Sequence, residues 1–259
     1  MTQRVTTIPI FVSGTQHNTS ANGSTISYFL DPPLNFGNAS VNFKVLNCEV
    51  YYTFPNVSVA RRNNRLDFFY QSLPHTIIFE NGLYNLDSIN SIIHDFCVSA
   101  NLPDDLFQFT ANASTSKVSL EFAYPNTNVV IGVINLDIGP LLGWNVTSVL
   151  ASNTNRIWEA PNKAALNVVN KVLVHANFVS GSYLNSQGAS DVCANVQINV
   201  GVGRQILYAP NHPYDVGVFS NNISSVEFYI TDENTNRLDT NGEYWSLTGV
   251  FTIDKNIIV

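Results

Sequence analysis

Between Val192 and Val202 apolar and polar residues alternate over eleven positions. Val192, Ala194, Val196, Ile198, Val200 and Val202 fall on one side, and Cys193, Asn195, Gln197, Asn199 and Gly201 on the other. A period of two sorts residues onto the two faces of an extended chain and is useless to a helix. It returns in Val172, Val174, Ala176 and Phe178 against Lys171, His175 and Asn177, and in Val118, Leu120, Phe122 and Tyr124 against Ser119 and Glu121. Strands with one apolar and one polar face belong to antiparallel sheets packed on another sheet. Further strands are predicted at 42–52, 66–71, 129–135, 205–208, 226–231 and 244–253, punctuated by polar clusters such as SGTQHNTSANGS and APNHP. Many short strands with polar turns make the chain all-β, as a sandwich or a jelly roll.

One stretch departs from this. Leu86, Ile89, Ile92, Ile93, Phe96, Cys97 and Ala100 form a helical stripe of about four turns, with Asn85 or Asp87 as N-cap and Pro103 beyond the end. It lies between a strand ending near Phe79 and a hairpin-like region at 107–135. Residues 80–150 are therefore expected to form a helix-plus-hairpin insertion within one domain covering 1–259, with no internal repeat and no dividing linker.

Charged residues make up only 12% of the chain, against about 25% in an average soluble protein. Its surface must be covered largely by Asn, Ser and Thr, and parts of it by other subunits. The net charge of −7 argues against a general nucleic-acid binder, which needs a basic stripe. Arg61, Arg62 and Arg65 are the exception: a contact with nucleic acid or a neighbouring subunit, weighed against the commoner solvated loop. The N-terminus lacks the continuous apolar run of a signal peptide, and no segment reaches the roughly 18 apolar residues of a membrane span. Cys48, Cys97 and Cys193 are odd in number and widely spaced, which suits buried reduced thiols. Seven N-x-S/T matches, beginning at Asn18, Asn22, Asn38, Asn56, Asn112, Asn145 and Asn222, then reflect an Asn-rich composition rather than glycosylation.

Signals for chemistry are poor. The five histidines are scattered, no G-x-S-x-G elbow is present, and GVGR at 201–204 lacks the Lys-Ser/Thr of a phosphate loop. Asp104 and Asp105 are adjacent, whereas glycosidase chemistry needs carboxyls across a cleft. Asp232, Asn234, Asn236 and Glu243 occupy positions 1, 3, 5 and 12 of a calcium-loop pattern, but Arg237 stands where the pattern requires glycine. The stretch Thr231 to Trp245 is expected instead as an elaborated hairpin connection turning at Asn241-Gly242. Trp245 shares the register of Leu247, Phe251 and Ile253 and is expected in the core. For Trp144 and Trp158, burial at a subunit interface competes with stacking on a ligand.

In order, FLDPPLNF (29–36), VLNCEVYYTFPNV (45–57), FENGLYNLDSIN (79–90), PLLGWN (140–145), VLVHANFVSGSYLN (172–185), ILYAPNHPY (206–214) and YITDENTNRLDTNGEYWSLTGVFTI (229–253) resemble one family. It is that of the penton, or minor capsid, proteins of virophages and related Polinton-type elements, and the resemblance runs from about Phe29 onward. It implies a single jelly roll that forms homopentamers at the fivefold vertices of an icosahedral capsid, beside a double-jelly-roll major capsid protein. It further implies a mechanical role without enzymatic activity or cofactor, a place in the virion, and assembly in the host cytoplasm or a viral factory. Arg61, Arg62 and Arg65 would then meet packaged nucleic acid or a neighbouring subunit inside the shell. The competing reading is a receptor- or carbohydrate-binding head, with Trp144 and Trp158 as its platforms.

Overall fold

The computed structural model describes residues 4–14, 20–123, 131–145, 151–152, 157–183 and 189–255. The chain begins with β1 (Arg4–Ser13), β2 (Thr25–Asn35), β3 (Ser40–Tyr51), β4 (Arg65–Tyr70) and β5 (Leu73–Ile78). The helix α1 (Leu86–Ser99) follows, then β6 (Phe107–Asn112), β7 (Lys117–Phe122), β8 (Ile131–Leu136), the short α2 (Gly139–Leu142), β9 (Ala151–Ser152) and β10 (Ile157–Lys163). The last part holds β11 (Lys171–Ala176), β12 (Ser182–Tyr183), β13 (Ala189–Ser190), β14 (Val192–Gln197) and β15 (Gln205–Tyr208). It closes with β16 (Val216–Gly217), β17 (Asn222–Thr231) and β18 (Ser246–Lys255). Two compact units result, one from residues 1–54 with 169–259 and one from 55–168. The expected insertion at 80–150 falls inside the second unit, which is wider.

In the first unit two large sheets run in the orders β1-β18-β3-β15, with β16 also on β3, and β14-β11-β17-β2, and β12 pairs with β13 in a small third sheet. The antiparallel pairs are nested: β1 with β18, β2 with β17, β3 with β15, β11 with β14. Among these eight longer strands first meets last, second meets seventh, third meets sixth and fourth meets fifth, which is the winding of a jelly roll. The inner faces meet through aromatic rings. Phe43 and Phe251 come from one sheet, Phe228 from the other and Phe178 from just beyond β11, with centroids 5.1–5.8 Å apart. Gly249 sits at a register shift in β18, where a Cβ would run into the Phe43 ring.

Two expectations are corrected here. β17 and β18 are not the arms of a hairpin: they lie in different sheets, and residues 232–245 cross from one to the other. Trp245 closes that crossing, 1% exposed, with its indole N–H donating to the Gly23 carbonyl at 3.0 Å. The alternation from Val192 does not make one long strand, because β14 ends at Gln197. Its partner β11 begins at Lys171, paired with Gln197, so the ladder runs out there and Val202 is 57% exposed.

The second unit holds the sheets β10-β7-β6 and β5-β4-β8-β9. α1 starts at Asn85, whose side chain accepts from the Ser88 backbone N–H while the Ser88 hydroxyl accepts from the Asn85 N–H. Ile89, Ile93 and Cys97 of α1 are buried with Phe68, Phe107, Phe109, Leu120, Phe122 and Leu142. Asn90 then clips the helix to the outer strand β6, its amide donating to the Phe109 carbonyl and accepting from the Phe109 N–H, both at 2.8 Å.

Candidate functional site

The three arginines stand at the start of the second unit, all exposed. Arg61 donates through Nε to the Pro55 carbonyl at 3.1 Å, and Arg65 through Nε to Asp67 Oδ1 at 2.9 Å. Burial pushes the Asp67 carboxyl up, but hydrogen bonds from Arg65, Thr76 and Asn135 outweigh it and hold the group below the ordinary carboxylate range. Two of the three cations are thus already partnered within the unit. Trp144 is 5% exposed, packed against Phe109 in the core, so it offers no open face to a ligand. Trp158 on β10 is half-buried beside the same core, and its indole N–H meets no acceptor among the described residues.

The acidic crossing 232–245 is a turn held by its own polar groups. Asp232, 3% exposed, accepts from the Asn234 and Asn236 backbone N–H groups through Oδ1, both at 2.8 Å, and from the Asn236 amide through Oδ2 at 2.9 Å. Glu233 reaches Asn170, with Asn170 Nδ2 donating at 2.6 Å. Among the described residues no three His, Cys, Asp or Glu side chains converge as metal ligands. His17 and Asn18 lie outside the described residues. No helix of the described residues is long and apolar enough to cross a membrane.

Two arrangements bring together residues that no spacing in the sequence connects. A cleft of about 550 Å³ in the second unit gathers His94 and Asp95 of α1, Asp104 and Asp105 of the following loop, and Glu121 of β7. Its groups come from three separate segments, so no spacing announces it. Glu121 is held by the Thr110 hydroxyl at 2.9 Å.

The second arrangement lies on the outward side of the β11-β17-β2 sheet. His175, placed on the polar face by its alternation, is 3% exposed. Its Nδ1 lies 2.7 Å from Asp191 Oδ1 and its Nε2 2.9 Å from Thr231 Oγ1. Tyr229, its cross-strand partner, stacks on it at 4.4 Å with planes 7° apart and donates to Asp191 Oδ2 at 2.6 Å. Arg237 lies over the Tyr229 ring at 3.3 Å and donates to Thr25 Oγ1 on β2. Burial pushes the His175 imidazole below its ordinary range, more strongly than Asp191 draws it up, and Arg237 adds to the lowering. Burial also raises the Asp191 carboxyl, but its bonds to His175 and Tyr229 prevail and keep it ionised.

Against known proteins, no family model matches the chain and no curated protein matches its sequence. Among solved structures it is similar to the SeMet-labelled mavirus penton protein, with 11% sequence identity and a TM-score of 0.49, over 96% of this chain and 100% of that one.

Proposed function

We propose that the chain is a structural protein of an icosahedral virion, assembling as a homopentamer at the fivefold vertices beside a double-jelly-roll major capsid protein. A jelly roll alone serves many functions. The observation that carries the reading is the set of large apolar side chains this roll leaves outward on its sheets. Phe29 on β2 is 87% exposed, Phe11 on β1 74% and Leu207 on β15 59%. Side chains of this size standing in water on strand faces fit protein contacts. A cyclic assembly repeats one heterologous interface around its axis, and a surface with few charges lowers the desolvation cost of each repeat. The order of segments from Phe29 onward supports the same reading. The work is mechanical, without catalysis or cofactor, in a virion assembled in the host cytoplasm or a viral factory. Arg61 and Arg62, with Arg65 at the start of β4, face packaged nucleic acid or a neighbouring subunit in that arrangement.

Light scattering on the purified chain is expected to give five times the 28.6 kDa of the monomer. Images of particles labelled with an antibody to the chain are expected to show it at vertices. A strict monomer at every concentration, absent from assembled particles, would sink the proposal.

A further inference from the structure

Thr231 has one hydroxyl proton and two acceptors within reach, His175 Nε2 at 2.9 Å and the Asp232 carbonyl at 3.0 Å. Asp191 has no proton to give when ionised, so His175 Nδ1 carries one in either charge state. With His175 neutral, Nε2 is bare and takes the Thr231 proton; the Asp232 carbonyl keeps its other donor, the Thr235 N–H at 3.1 Å. With His175 charged, Nε2–H donates to Thr231 Oγ1, and the hydroxyl turns to Asp232. The heavy atoms stand in place for both states.

Protonation also reaches the far side of Tyr229. His175 approaches that ring from β11, and Arg237 from the side of β2, where it bonds Thr25. A parallel imidazole and a guanidinium at 3.3 Å cannot share one face, so the phenol ring is sandwiched between them. A proton on His175 then sets a second cation across the ring from Arg237. The charged and titratable groups facing the imidazole are Asp191 from the segment before β14, Tyr229 from β17 and Arg237 from the crossing, with Glu227 3.8 Å from Arg237 as its outer counter-charge. The Asp232 carboxylate is taken up by Asn234 and Asn236.

We propose that the His175, Tyr229 and Arg237 sandwich is a proton-operated latch on the crossing 232–240: protonation of His175 anchors the Thr231–Asp232 corner and releases the Arg237 end. Coupling is reciprocal, so a cation that disfavours protonation of His175 is itself disfavoured by it. The Arg237 end of the acidic crossing is thereby clasped to the sheet at neutral pH and loosened from it in mild acid, independently of any assembly.

The test follows backbone hydrogen exchange of residues 233–240 in the full chain between pH 7.5 and 4.5, corrected for intrinsic rates, beside the His175 ring signals in nuclear magnetic resonance. The expected result is an Nδ1–H tautomer at pH 7.5 and about tenfold faster exchange of the Leu238 amide, which bonds the Ile230 carbonyl beside Arg237, once the ring is charged, with the Asp232-held amides of 234–236 no faster. In His175→Gln the pH step should vanish. In Arg237→Gln the Leu238 amide should exchange fast at both pH values, and the His175 titration should move to higher pH. A pH step that survives in His175→Gln, a flat response in the native chain, or an unmoved titration in Arg237→Gln would overturn the latch.

Discussion

Gly249 and Phe43 compete for one space. The register of β18 slips between Thr248 and Gly249, and the Phe43 ring fills the place of a Cβ at that step. Phe43 is fully buried at the centre of the aromatic cluster and cannot move aside freely. Gly249→Ala is expected to lower stability by about 1–3 kcal/mol, the usual cost of overpacking, seen as a lower urea midpoint. The cysteines are quiet for a related reason. Burial pushes the Cys48 thiol up to about 12 and the Cys97 thiol up to about 11, and raises Cys193 as well. At pH 8 all three should resist a thiol reagent in the native chain and react once it is denatured. At this scale the sequence was legible where one residue answers to one partner class, as with Trp245 in the core. It was not legible at His175, because alternation reports the face of a strand and not which side chains from distant segments, here Asp191, Thr231 and Tyr229, close over that face.

The elements themselves were largely readable. Helix α1 follows its apolar stripe and starts at one of the two residues offered as cap. What the stripe cannot carry is the polar side's work: Asn90 supplies an acceptor and a donor to the backbone of the outer strand β6. Asn90→Ala leaves the Phe109 N–H and carbonyl without those partners and should cost roughly 2–3 kcal/mol, read from thermal unfolding. Periodicity misled at β14 and at the β17 to β18 connection for one shared reason. Period and turn residues describe a strand and its ends, while length and pairing are decided by the neighbour the roll supplies. β14 stops where β11 begins, and β17 turns toward a different sheet from β18. The carboxylates around the cleft in the second unit were hidden in the same way, since α1, its following loop and β7 meet only after folding.

At the scale of the whole molecule, acid acts in two steps. The unfolded chain takes a proton on His175 near the ordinary imidazole value of 6.5 and the native chain only at lower pH, so native stability falls as pH drops below that value. Asp191 and Glu233 have depressed native values, so their contribution, present above the ordinary carboxylate range, is lost as pH falls below it. Urea midpoints measured from pH 8 to 3 should show both declines, with the upper one absent in His175→Gln. Division of the chain sets a separate expectation. Every sheet belongs wholly to one unit, and residues 55–168 carry their own core. That span also satisfies its buried Asn56 internally, through the Tyr84 N–H and carbonyl and the Leu166 carbonyl at 2.8–2.9 Å. A segment whose apolar surface and buried amide are both satisfied from within should fold alone. Residues 55–168 expressed without the rest are expected to melt cooperatively, with dispersed amide resonances; a broad, non-cooperative transition would mean that this span does not fold alone.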